Sequence, residues 1–202
     1  MDPARIRDNL ARVRERIGED VEICAAIKYV ATDDLPALAE GGITIVGENR
    51  AQDMVAKHAA HGGLFEAWDF IGALQSRKVR DVAPVARLIH SVASESALRQ
   101  LEKHPAREVL IEVNVAGEAD KAGIAPEELA AYIERCPVPV TGLMTMPPFA
   151  ERPEASRPHF ARLAELAAEH DLAKLSMGTT QDHEVAVQEG ATIVRLGTVL
   201  YA

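Results

Sequence analysis

Cysteine is nearly missing from this chain: Cys24 and Cys136 are the two it has in 202 residues. They lie far apart, each in or beside an apolar segment. Neither belongs to a C-x-x-C pair or a histidine-spaced set, which excludes a disulfide framework and a cysteine-based metal centre. Two reduced core thiols in a cytoplasmic protein are the expectation. An excess of positive charge is also absent, since 22 Lys and Arg stand against 31 Asp and Glu for a net charge of −9. Binding a polyanion needs a concentrated basic face, so nucleic acid is not an expected partner. No apolar run approaches the length of a membrane span. Met1-Asp2-Pro3-Ala4-Arg5-Ile6-Arg7 leads into a charged helical pattern without an apolar signal core, so neither membrane insertion nor export is expected. Internal repeats, low-complexity tracts and linkers are missing as well.

What remains is an ordinary globular composition, 48% hydrophobic and 26% charged, long enough for a real core and short for two domains. One domain over residues 1–202 is expected. Ile6, Leu10, Val13 and Ile17 recur at helical spacing and stop at Gly18, giving a first amphipathic helix. Short apolar runs then alternate with helix-like segments. The runs are Val21 to Ile27, Ile43 to Val46, Trp68 to Ile71, Leu88 to Ser91, Glu108 to Val115, Val138 to Leu143, Lys174 to Met177 and Ile193 to Leu196. Eight strand signals alternating with helices predict an α/β fold, a single (β/α)8 TIM barrel with an additional N-terminal helix. The rival is an open doubly wound sheet, which typically has a glycine-rich turn after its first strand. Here that turn holds Lys28 and no glycine.

In such a barrel the reactive groups collect at the carboxyl ends of the strands. Lys28 closes the first apolar run. An ammonium there is costly unless it is paired or gives up its proton, and a lysine that loses its proton easily can form a Schiff base; the plainer reading is a side chain that snorkels to water. Ser176-Met177-Gly178 after the seventh run and Arg195-Leu196-Gly197-Thr198 after the eighth would be neighbouring small-residue loops suited to an anion, or simply a helix cap and a turn into the carboxyl tail. Arg195 alternates with apolar neighbours, so it faces the barrel mouth or the helix layer, and we favour the mouth. Asn49, His90, Asn114 and Met144 also fall at strand ends, where Asn and His often satisfy local backbone groups.

Ala25-Ala26-Ile27-Lys28, Gly47-Glu48-Asn49-Arg50-Ala51-Gln52, Phe70-Ile71-Gly72-Ala73-Leu74-Gln75-Ser76-Arg77-Lys78, Gly142-Leu143-Met144, Leu175-Ser176-Met177-Gly178 and Val194-Arg195-Leu196-Gly197-Thr198 follow one another from near one end of the chain to the other. In these segments the sequence resembles the pyridoxal phosphate homeostasis protein family, itself similar to the barrel domain of alanine racemase. The resemblance implies a barrel lacking the C-terminal β domain of alanine racemase. It implies that Lys28 holds pyridoxal 5'-phosphate as an internal aldimine, with Ser176, Gly178, Gly197 and Thr198 around the phosphate. It also implies Arg195 near the pyridine nitrogen and Asn49 and Met144 near the ring; His90 joins the expected cofactor-binding residues by its position at a strand end. A permanent cation facing that nitrogen disfavours its protonation and weakens the ring as an electron sink.

The chain departs from the commonest family pattern at Tyr29-Val30, Arg50 and Thr179-Thr180-Gln181-Asp182. The resemblance further implies a carrier for vitamin B6 homeostasis without catalytic residues, delivering cofactor to apo PLP-dependent enzymes, and a monomer is the expectation. A slow PLP-dependent amino-acid racemase with Lys28 as proton shuttle is the alternative, for which the sequence offers no convincing second base. A phosphate-sugar aldolase or isomerase with a Schiff-base lysine is a third reading, against which the first-strand position of Lys28 counts.

Overall fold

The computed structural model describes residues 1–118 and 121–201. Its centre is a closed parallel barrel of β1 (Glu22–Ala26), β2 (Ile45–Glu48), β3 (Ala67–Phe70), β4 (Leu88–Val92), β5 (Val109–Glu112), β6 (Val140–Met144), β7 (Lys174–Thr179) and β8 (Ile193–Leu196), each paired with its neighbours in chain order. Closure comes from β8 against β1, with Cys24 opposite Arg195. Around it run α1 (Pro3–Ile17), α2 (Leu35–Glu40), α3 (Ala51–His61), α4 (Val79–Val82), α5 (Glu95–Lys103), α6 (Leu129–Arg135), α7 (Arg157–Glu169), α8 (His183–Gln188) and α9 (Thr198–Tyr201). This is the TIM barrel that the eight apolar runs predict.

Alternation along the strands builds two apolar layers, because successive side chains of a strand face opposite sides. Ile23, Ala25, Val46, Phe70, Ile111 and Val194 pack outward against the helices. Cys24, Leu88, Leu110, Met144 and Ile193 fill the barrel interior. Both Cys24 and Cys136 are free thiols, the former wholly buried. No helix among the described residues is long and apolar enough to cross a membrane.

Helix α1 begins where the Asp2 carboxylate accepts the Ala4 N–H at 3.0 Å and ends at Gly18, whose φ of +81° suits glycine. Its inward face is Ile6, Asn9, Val13 and Ile17, with Leu10 only partly covered. The polar member of that face has a purpose: Asn9 Nδ2 donates to the Leu200 carbonyl at 3.1 Å, tying α1 to α9. The segment after β8, for which the sequence leaves open an anion loop or a turn into the tail, continues into this short helix, which places Tyr201 beside the first strand, where its hydroxyl donates to the Ala26 carbonyl.

Strand limits differ from the sequence reading at functionally important places. β1 ends at Ala26, so Lys28 stands in the following turn. β7 runs on to Thr179, beyond the expected end at Met177. Its pairing with β8 shifts register between Ser176 and Thr179, and Gly178 takes φ +88° there. A Cβ on Gly178 would come within 2.6 Å of Ala186 on α8, so glycine is needed both for the backbone and for the close approach of α8.

Candidate functional site

At the carboxyl end of the barrel lies a cavity of about 760 Å³. Of the residues expected from sequence, Lys28, Asn49, Met144, Arg195, Gly197 and Thr198 line it. The structure brings these six together from four strand ends, those of β1, β2, β6 and β8. His90, Ser176 and Gly178 are not on its wall.

The Lys28 segment is held through its backbone. The Ile27 N–H donates to the Gly47 carbonyl at 2.9 Å, and the Ile27 carbonyl accepts the Val30 N–H at 3.0 Å and the Lys57 ammonium at 2.7 Å. Lys57 also pairs with Glu48 at 2.6 Å, and the other oxygen of Glu48 accepts the N–H groups of Asn49 and Arg50 at 2.7 and 3.2 Å. Both side chains of this ion pair are buried. One buried clamp thus fixes the peptide before Lys28 and the backbone of Asn49. The Lys28 ammonium itself lies 4.8 Å above the ring of its neighbour Tyr29, with no carboxylate in salt-bridge range among the described residues. The wall between Asn49 and β3 is tight, since a Cβ on Gly72 would sit 2.0 Å from the Asn49 carbonyl oxygen.

Arg195 forms part of the floor. Its guanidinium donates to the Ser176 carbonyl at 2.7 Å, the Ser176 hydroxyl at 2.6 Å and the Thr145 carbonyl at 2.9 Å. Below it a buried polar chain runs along the barrel axis. Ser176 Oγ meets His90 Nδ1 at 2.8 Å, His90 Nε2 meets Asp69 at 3.2 Å, and Asp69 accepts two bonds from Arg87 at 2.9 and 2.6 Å. Arg87 then reaches Glu22 at 2.7 Å. A carboxylate only accepts, so Nε2 carries the proton toward Asp69 and Nδ1 accepts the Ser176 hydroxyl. Burial lowers the affinity of His90 for a second proton and outweighs the pull of Asp69. Burial alone would raise the Asp69 carboxyl, but the bonds from His90 and Arg87 hold it below its ordinary range. His90 and Ser176 therefore orient Arg195 from beneath, with a neutral imidazole between two charged ends.

The anion-suited rim lies a few residues beyond the one the sequence suggests. Because β7 continues to Thr179, it is Thr179, Thr180 and Gln181 that line the cavity beside Gly197 and Thr198. Thr180 Oγ1 accepts the Gly197 N–H at 3.3 Å, which stitches the two loops together, while Asp182 accepts the N–H and hydroxyl of Thr179 at 2.8 and 3.1 Å within the loop after β7. The space that a Cβ would take at Gly197 is open for 4 Å. Asn114 is occupied elsewhere, bonding the backbone of Glu118 at 2.8 and 3.3 Å.

Sequence reasoning missed Glu112, which lines the cavity from the end of β5. Burial raises its carboxyl above the ordinary range and the charge of Arg195 opposes this. The only signal was one acid interrupting an apolar run, which a strand end produces just as well.

The entire chain, residues 1–202, matches the family model described as alanine racemase, N-terminal domain. It is 41% identical to the pyridoxal phosphate homeostasis protein of Aquifex aeolicus over 98% of this chain and 95% of that one. With the protein of the same name from Pseudomonas aeruginosa it shares 38% identity over 97% of this chain and 94% of that one. Among solved structures, PipY of Synechococcus elongatus with PLP bound matches with a TM-score of 0.85 and 29% identity, over 98% of this chain and 100% of that chain. Lysine/ornithine decarboxylase from Vibrio vulnificus matches with a TM-score of 0.75 over 99% of this chain and 62% of that one; at 13% identity it shares the fold alone.

Proposed function

The chain belongs to the pyridoxal phosphate homeostasis protein family, built on the alanine racemase N-terminal domain, and from that premise we propose that it binds pyridoxal 5'-phosphate reversibly, with Lys28 as its covalent anchor. The observation that carries this reading is the placement of an amine without a carboxylate partner among the described residues in the same cavity as two hydroxyl-bearing loops.

The residues present suit the cofactor. It supplies an electrophilic aldehyde carbon that condenses reversibly with a primary amine, and a phosphate that serves as an anionic handle. The Glu48–Lys57 clamp keeps the Lys28 backbone in one place, so that little ordering remains to be done on binding. Thr180 and Thr198 offer hydroxyl donors to the phosphate, the Thr179 hydroxyl being committed to Asp182 at 3.1 Å, with Gly197 leaving the room for its oxygens. Arg195, pinned from below by Ser176, sets a fixed positive charge in the floor. Beside the ring nitrogen that charge disfavours protonation and holds the ring in a form poor at carbanion chemistry. This favours a carrier over an enzyme. The protein would limit free aldehyde and pass cofactor to apo-enzymes. His90 and Ser176 belong to this site as positioning residues that hold Arg195, and Gly178 as the glycine that lets the rim loop form.

A slow racemase is the second reading, favoured by one observation absent from the sequence analysis: Glu112 puts an ionisable group on the wall facing Lys28. Exchange of the alanine Cα proton with solvent deuterium on the loaded protein tests it. For the carrier reading the test is spectroscopic. The protein mixed with pyridoxal phosphate gains an absorption band at the edge of the visible, and Lys28→Ala loses that band while keeping its fold by circular dichroism. A variant that kept the band would contradict it.

A further inference from the structure

Glu112 stands out among the groups facing the cavity. It is 8% exposed, and among the described residues its carboxylate accepts no hydrogen bond and joins no salt bridge. Glu22, Glu48, Asp69 and Glu108, also in or beside the barrel, each have a cationic partner at 2.6 or 2.7 Å. An unpaired carboxyl at this depth is costly unless something else supplies donors. The cavity is the open side: Glu112 is its sole acidic lining residue among those described. The strand order sets the direction. β5 lies four strands from β1 in a closed ring of eight, so Glu112 and Lys28 stand on opposite walls of one chamber.

We propose that Glu112 is the seat for the ammonium group of a second ligand, a small primary amine, held in the same cavity as the aldehyde on Lys28. The other walls present donors and hydroxyls that suit an anion or a carbonyl, whereas this wall presents a bare acceptor. A ligand satisfying it must bring N–H or O–H groups, and a cation meets the requirement best in a site of low dielectric. The volume of about 760 Å³ lies in the upper part of the range of roughly 300 to 1,000 Å³ for small-molecule pockets, which leaves room beside a bound aldehyde. The charge that acts on Glu112 is that of Arg195 from β8, already committed to three carbonyl or hydroxyl oxygens; His90 on the adjacent β4 is turned to Ser176 and Asp69.

This inference rests on the carrier reading and supplies what that reading lacks, a route for release. In the exchange the incoming nitrogen bonds the carbon that Lys28 held and the bond from that carbon to Lys28 Nζ breaks. Two protons leave the incoming ammonium and two arrive on the departing Lys28 nitrogen, one of them by way of Glu112, which ends as it began. Amine would then drive release faster than water does.

Two measurements test it. In the cofactor-free protein, the carboxyl ¹³C resonance of Glu112, assigned by its loss in Glu112→Gln, should shift saturably with ethylammonium chloride and stay unmoved by sodium chloride at equal ionic strength. In the loaded protein, the ratio of release rate with ethylamine to release rate without it should fall at least tenfold in Glu112→Gln and to a smaller extent in Glu112→Asp. An unmoved resonance, or a ratio unchanged in Glu112→Gln, overturns the proposal. If instead the cofactor proves to be held by another residue than Lys28, the carrier reading fails, while the cofactor-free titration still decides whether Glu112 seats an amine.

Discussion

His90 is worth following as a single residue, because its protonation state reports on the whole buried chain from Glu22 to Arg195. Folding lowers its proton affinity, so the unfolded chain binds the proton more readily. Its contribution is therefore intact above about pH 6.5, where an exposed imidazole titrates, and is lost as pH falls toward the lower folded value. Below about pH 6.5 the unfolding free energy should decline by up to about 1.4 kcal/mol per pH unit on account of this group. Urea titrations at several pH values should show that slope reduced in His90→Gln. An unchanged slope would mean that the imidazole is not the titrating group. Lys28 was legible as a cavity residue because it follows an apolar run that ends at the barrel mouth. His90 and Ser176 were legible as site residues only by position. Side-chain direction within the barrel depends on strand length and on the register shift at β7, and neither can be read from composition or spacing. Glu112 was illegible, since nothing local separates an acid that faces a cavity from one that faces water.

At the scale of elements, the Glu48–Lys57 pair joins β2 to α3 and, through the Ile27 carbonyl, to the turn after β1. Removing one partner of a buried pair leaves the other charge uncompensated, which costs about 3 to 5 kcal/mol. Lys57→Met should lower unfolding stability by about that amount, read as a shift of the urea midpoint, and should weaken cofactor binding because the Lys28 turn loses its anchor. The double variant Glu48→Gln with Lys57→Met should recover much of the stability. A single variant as stable as the parent would show the clamp to be unimportant. The eight strands were legible because each apolar run has the right length and is followed by a helical period. Their ends were less so: β5 stops at Glu112 although apolar residues continue to Val115, and β7 outlasts its apolar run by two residues. Helix α9 gave no signal of its own, being four residues long, and is held in place by Asn9 on α1 and by the Tyr201 hydroxyl on Ala26.

For the whole molecule, closing the sheet is what makes the site. Lys28, the hydroxyl loops after β7 and β8, and Glu112 come from positions up to 170 residues apart in the chain, counting from Lys28 to Thr198, and meet because the last strand pairs with the first. At the centre of the proposed site the Lys28 amine carries the aldehyde. Trapping the protein with pyridoxal phosphate and borohydride, followed by peptide mass spectrometry, tests this most directly. The reduced adduct is expected on the peptide containing Lys28, at close to one per chain; an adduct on Lys57, Lys174 or any other lysine in its place would rule out the proposed anchor.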